Sequence, residues 1–266
     1  MRRRVTWLLG LLLLACTARA GVTPDPGGAG AWGAGGALLA DRAGALLIFD
    51  APARLDAGGA RLMLSAQRTR LFELDALARV RVAMGVARAP WAAALGFESF
   101  GPAVARRTRV VLGAAVTKRN AALGAAWNER RGPAGTGHAG ALDAALSARL
   151  RERALFQLSV RGLLAGGDPG VAADPDWTAE VAGDLGPARA HLARTRDLHG
   201  ARTGGGVALA AGPLAVRVGA LGPPLSWTIG FLLGASRGRG GAHAGFARVV
   251  HPVLGASDTI EGGVTW

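Results

Sequence analysis

The sequence predicts an all-β protein, an antiparallel transmembrane up-and-down β-barrel of about fourteen strands. Three observations predict it. From Gly59 to the C-terminus, apolar residues recur at every second position in runs of about ten residues, the strand length that crosses a bilayer. The opposite faces of those runs carry Arg, Glu, Asp and Gln in mid-run, which a wet lumen tolerates and a dry core does not. The chain opens on an export signal and ends on an aromatic residue, Trp266.

The export signal is the first element. Arg2, Arg3 and Arg4 precede an apolar run from Val5 to Cys16, and Ala18-Arg19-Ala20 forms an A-x-A cleavage site before Gly21. Residues 1–20 are therefore expected to be a signal peptide cut by signal peptidase after Ala20. A second reading takes Leu13-Leu14-Ala15-Cys16 as a lipobox with Cys16 acylated. The run falls short of the roughly 20 apolar residues of a helical span. Val218 to Ser236 is the longest uncharged stretch downstream, and Pro223-Pro224 interrupts it, each proline costing about 3 kcal/mol in a helix. An exported chain without a helical span either stays in water or enters lipid as strands.

The strands follow in order, each with one apolar and one polar or small face, because a period of two sends alternate side chains to opposite sides. Leu62, Leu64 and Ala66 oppose Met63, Ser65 and Gln67. Val80, Val82, Met84 and Val86 oppose Arg79 and Arg81, and Trp91, Leu95 and Phe97 oppose Glu98. Val110, Leu112 and Val116 oppose Arg107 and Arg109, and Leu123, Ala125 and Trp127 oppose Asn128 and Arg130. Leu142, Leu146 and Leu150 oppose Asp143 and Arg149; Phe156, Leu158 and Val160 oppose Gln157 and Arg161; Trp177, Val181 and Leu185 oppose Glu180 and Asp184. Residues 188–198 are less regular. Val207 and Leu209 mark the next run, and Leu214, Val216 and Val218 oppose Arg217. Trp227, Ile229, Phe231 and Leu233 oppose Thr228, Phe246 opposes His243 and His251, and Ile260, Val264 and Trp266 oppose Thr259 and Glu261.

Turns at Gly101-Pro102, Gly132-Pro133, Gly186-Pro187 and Gly212-Pro213 separate the runs. A soluble exported β-sandwich also alternates, but its strands are usually about 5–6 residues long. Trp91, Trp127, Trp177, Trp227 and Trp266 all fall on apolar faces, as interface girdles require, although the chain has no Tyr. The parity assigns Arg79, Arg81, Glu98, Arg107, Arg109, Arg149, Arg161, Glu180 and Arg217 to the lumen. The last strand, closing on Trp266, looks like the signal read by the outer-membrane barrel assembly machinery.

Composition narrows the chemistry. With 42 Gly, one Cys and a formal net charge of +13, the chain has neither a disulfide framework nor a Cys-ligated metal site. No G-x-S-x-G, H-E-x-x-H or P-loop is present, so no enzyme activity, cofactor or metal is expected. The five histidines, His138, His191, His199, His243 and His251, are scattered; His191 and His199 are candidates to line a lumen. Export removes nucleic acid as a partner of the arginines. The partners left are outer-membrane lipid and lipopolysaccharide at the strand ends, and anions in a basic lumen.

Residues 30–55 lack a clear period, and with the two residues before them they read GAGAWGAGGALLADRAGALLIFDAPARL. This stretch resembles the N-terminal hatch of FadL-type and PorV-type outer-membrane proteins: small residues with a Gly-Gly-Ala, then an Asp, then a turn before the first strand. Where those families read Asn-Pro-Ala, this chain has Asp50-Ala51-Pro52-Ala53, one residue longer. The closing stretch, from Leu214 through Trp227–Gly234 and Val250–Gly255 to the last strand, is similar to the C-terminal strands of small barrels of the same group. The resemblance implies a small N-terminal plug over residues 21–58, with Gly33, Gly35, Gly36, Asp41, Asp50 and Pro52 as hatch residues, and a fourteen-stranded barrel over 59–266. It also implies passive transport of small hydrophobic molecules across the outer membrane, or a non-enzymatic scaffold or shuttle for a secretion partner. Few residues remain for loops, the longest candidates being Arg131–Gly140 and Gly166–Asp176.

Overall fold

The computed structural model describes residues 29–36, 44–55, 61–150, 154–172, 175–197, 200–237 and 240–266. The signal peptide with Ala18 and Ala20, the lipobox with Cys16, and Asp41 all lie outside the described residues. Fourteen strands form one closed antiparallel barrel. They are β1 (Arg61–Arg70), β2 (Ala78–Arg88), β3 (Trp91–Phe100), β4 (Arg107–Lys118), β5 (Ala121–Arg131), β6 (His138–Leu150) and β7 (Ala154–Gly167). The circuit continues with β8 (Asp176–Leu185), β9 (Ala188–Asp197), β10 (Gly200–Ala211), β11 (Leu214–Gly222), β12 (Ser226–Arg237), β13 (Gly240–His251) and β14 (Gly255–Thr265). Each strand pairs with its sequence neighbours, and β1 pairs with β14, so the sheet has no edge. Leu62 N–H donates to the Trp266 carbonyl at 2.9 Å and Trp266 N–H returns to Leu62 O at 3.1 Å, so the C-terminal residue completes the seam.

The two ends of the barrel differ. Connections 89–90, 119–120, 186–187 and 212–213 lie at one end, which also holds the start of β1 and the end of β14. At the opposite end run the longer connections 71–77, 101–106, 132–137 and 168–175. Of the two loops expected to be longest, 168–175 is, whereas 71–77 exceeds 132–137 through two 3₁₀ turns at Leu71–Glu73 and Asp75–Leu77. β6 and β7 slip in register between Leu142 and Ala144, and Asp143 Oδ1 accepts the Gly162 N–H at 2.9 Å there.

The period-two pattern sorts side chains as expected. Val80, Met84, Leu95, Leu112, Ile229 and Phe231 stand exposed on the outer face. Trp91 and Trp266 sit near the short-turn end, and Trp177 and Trp227 at the long-loop end, all outward. An apolar surface that continues around the whole circumference is far beyond the patches water-soluble monomers expose; hydrocarbon is its natural solvent. This corrects the soluble β-sandwich reading, in which Val80, Leu95 and Trp227 would meet in a dry interior. Leu95 is instead 45% and Trp227 65% exposed on the outside. Among the described residues, no helix is long and apolar enough to cross a membrane.

The core is inside the barrel. Helix α1 (Ala29–Gly33) and 3₁₀ turns at Ala45–Phe49 and Pro52–Arg54 lie against the inner wall. Ile48, Phe49 and Leu55 are fully buried with Met63, Ala83, Ala94, Val111 and Ala126 of β1 to β5.

Two outcomes follow. Purified protein in detergent should run faster unheated than boiled on a denaturing gel, since only the closed barrel resists unfolding. Leu95→Arg, at mid-strand on the outer face, should lower unfolding stability in lipid vesicles by about 2–4 kcal/mol, and Leu95→Ala by clearly less.

Candidate functional site

Antiparallel register sets inward side chains directly opposite one another, close enough to interact. Gln67 of β1, Arg81 of β2, Glu98 of β3, Arg109 of β4 and Arg130 of β5 form one such rung in the long-loop half of the lumen. Two residues nearer the short turns the rung becomes Ala83, Gly96, Val111 and Asn128. The inner wall of β2 to β5 thus changes from charged to small within two rungs, and the N-terminal strap fills the space that the small residues leave. A Cβ on Gly96 would stand 2.5 Å from Phe49 Cζ, and one on Gly124 would stand 2.3 Å from Ala53 N, so the strap lies where only glycine fits.

At the boundary between the two zones the strap engages the charges. Arg81 Nη1 donates to Asp50 Oδ2 at 2.9 Å, and its Nε donates to Glu98 Oε2 at 2.6 Å. Arg161 Nη1 reaches Asp50 Oδ1 at 3.4 Å, and its Nε donates to Asp176 Oδ1 at 2.9 Å. Arg109 donates from Nε to Asn128 Oδ1 at 2.7 Å, and from Nη2 to Phe49 O at 3.0 Å and Asp143 Oδ2 at 3.3 Å. The guanidinium carbons of Arg81 and Arg109 stand 4.9 and 5.5 Å from the Phe49 ring centroid, within cation–π range. The side chains of Arg81 and Asp50 are 1% and 3% exposed, so this pair is removed from water and depends on its own hydrogen bonds.

The strap's first part is held on the other wall by different physics. Gly33 lies against Gly230 of β12, where a Cβ would come within 2.8 Å of Gly230 Cα. Gly35 has φ +70°, and a Cβ there would meet the backbone oxygens of Ala220 and Gly205 at 2.4 and 2.5 Å. One hydroxyl joins both sides: Thr228 Oγ1 donates to Gly33 O at 3.0 Å and accepts the Gly35 N–H at 3.1 Å. Trp32 packs on Ala247 and Val249 of β13.

Among the residues assigned to the lumen, Arg79, Arg81, Arg109, Glu180 and Arg217 are buried on the inner wall. Glu98 and Arg161 face inward and are partly exposed, at 14% and 19%. Two differ from expectation: Arg107 opens β4 and Arg149 lies next to the end of β6, so both are exposed at the rims despite their inward parity. Of the hatch residues, Gly33, Gly35, Gly36, Asp50 and Pro52 belong to the described strap. Trp266 is exposed at the seam. The basic lumen is also more balanced than its arginines suggest, since Asp184 pairs with Arg189 and Asp197 with Arg202 as well. Sequence reasoning left out Phe49, Asp143, Asn128, Gln157 and Thr228 as site residues. Asp143, Asn128, Gln157 and Thr228 carry the inward parity that could have flagged them; Phe49 has no such signal. His191 is buried on the inner wall.

No family model and no curated protein matches the chain. Solved structures do. The CymD monoaromatic hydrocarbon channel superposes with a TM-score of 0.62 at 11% identity, over 90% of this chain and 96% of that one. A Pseudomonas aeruginosa FadL homologue gives 0.59 at 9% identity, over 93% and 99%. This fold is the FadL-type barrel. The Ralstonia pickettii toluene transporter TbuX also shares it, with a TM-score of 0.58 at 9% identity over 91% of this chain and 97% of that one.

The ion pairs should be unequal in cost. Asp143→Ala leaves Arg109 hydrogen-bonded to neutral acceptors with Glu98 opposite it, strips the Gly162 N–H of its acceptor, and should lower unfolding stability in detergent by about 3 kcal/mol. Asp50→Ala leaves Arg81 with Glu98 and Arg161 with Asp176, and should cost only about 2 kcal/mol.

Proposed function

We propose that this chain is an exported outer-membrane barrel that passes small hydrophobic molecules across the outer membrane by diffusion, without covalent chemistry. The observation that carries the reading is the N-terminal strap seated inside a FadL-type barrel whose outer face is apolar all round. Solved barrels of this fold are described as a monoaromatic hydrocarbon channel and toluene transporters, which supports the substrate class. In this reading residues 1–20 direct export and are removed after Ala20. The short-turn end faces the periplasm and the long-loop end faces outward, the usual polarity of such barrels. Trp266 serves as the assembly signal at the β1–β14 seam. Exposed arginines at the strand ends, such as Arg106, meet anionic headgroups and lipopolysaccharide. Inward-facing Arg81, Arg109 and Arg161 hold the strap, Glu98 holds Arg81, and together they define what passes it, with Arg79, Glu180 and Arg217 completing the polar wall.

The test uses the barrier the protein would breach. In Gram-negative cells with intact lipopolysaccharide, expression should raise the uptake rate of radiolabelled toluene several-fold over cells carrying an empty vector, and a rate equal to theirs sinks the proposal.

A further inference from the structure

Phe49 and Asp50 fill a slot whose chemistry is broader than a strap anchor requires. The fully buried Phe49 ring lies near two guanidinium groups, with the bare backbone of Gly96 beneath it. The adjacent Asp50 carboxylate lies between Arg81 and Arg161. The Arg81 guanidinium therefore meets both the Phe49 ring and the Asp50 carboxylate. Guanidinium groups favour these two partners, the first through the ring's negative face and the second through charge-assisted hydrogen bonds.

The arginines of the slot do not depend on the strap for a counter-charge. Arg81 also holds Glu98, Arg161 also holds Asp176, and Arg109 holds Asp143, and all three acids belong to the barrel wall. Stranding a buried charge by removing its partner is strongly destabilising. Here withdrawal of Asp50 strands none of the three. Each of the three slot arginines keeps a wall carboxylate when the strap withdraws, and Phe49 with Asp50 is the exchangeable occupant.

We propose that the slot of Phe49 and Asp50 binds a small aromatic carboxylic acid, which replaces the Phe49 ring and the Asp50 carboxylate and so releases the strap from the β2–β7 wall. This rests on the transport reading and deepens it: within the small hydrophobic class, aryl acids are recognised by the arginines that now hold the strap. The strap is then a tethered competitor, and it lowers the apparent affinity in proportion to the fraction of time the slot is open. The first part of the strap, seated on β11 to β13 by close backbone contacts and the Thr228 hydroxyl, stays in place.

The experiment is isothermal titration of the full chain in detergent with 3-phenylpropionate and with its uncharged analogue 3-phenyl-1-propanol. The acid should bind about tenfold more tightly than the alcohol. In Phe49→Ala/Asp50→Ala, with the competitor gone, affinity for the acid should rise about tenfold further and that for the alcohol by less. Equal affinity for acid and alcohol overturns the proposal, as does a double variant that keeps its heat-modifiable band yet gains nothing for the acid. Should the double variant fail to fold, Asp50→Asn removes the competing charge at nearly constant volume, and the same preference for the acid must increase. Toluene uptake without acid preference removes this proposal alone, whereas the absence of both toluene uptake and acid binding removes the transport reading with it.

Discussion

Backbone hydrogen bonding in hydrocarbon is the constraint from which the rest of this structure follows. A peptide group facing lipid has no water to turn to, so every strand must have a neighbour on both sides. Fourteen strands meet that demand by closing, and the closure is literal: Leu62 and Trp266 exchange both hydrogen bonds at the seam. Closure divides space into an outside and an inside, and the two-residue repeat assigns every side chain to one of them. The apolar half of each strand meets lipid. The other half meets the lumen, where arginine, aspartate and glutamate are affordable because they can pair there.

The lumen is filled by two kinds of attachment at opposite walls. On β11 to β13 the strap is held by backbone approaching backbone, at Gly33, Gly35 and Gly230, with Thr228 satisfying a donor and an acceptor together. Contacts of that kind are short-ranged and tolerate no added atom. On β1 to β7 the strap is held by buried apolar side chains at the glycine and alanine rungs and by the Asp50 carboxylate at the charged rung above them. Ion pairs of that kind can be exchanged for another carboxylate, because like chemistry replaces like. The asymmetry makes the Asp50 side the natural point of entry for a ligand, and it joins the plug's mechanics to the substrate's chemistry.

Much of this was legible in the sequence, for identifiable reasons. Val80 against Arg81 and Trp227 against Thr228 state their faces without any tertiary knowledge, because strand parity is a local property. Arg107 and Arg149 show where parity stops informing: it gives a side but not a depth, and both lie so near a strand end that facing inward leaves them in solvent. Phe49 was silent because its neighbours in space, Arg81, Gly96 and Arg109, are strands away in sequence. Asp50 drew notice only through its resemblance to a hatch turn, and nothing local indicated that Arg81 and Arg161 would share it.

The sequence by itself indicated about fourteen strands, the two faces of each strand and the closing aromatic residue, since each depends on residue type at short, regular spacing. Tertiary structure alone decided the register of fourteen pairings. With it came the polar rung of Gln67, Arg81, Glu98, Arg109 and Arg130, the glycine floor under Phe49 and the sharing of Asp50 by two arginines. The physical reason is range: periodicity acts between neighbours along the chain, while the lumen is assembled from residues that meet only when the sheet curves round on itself.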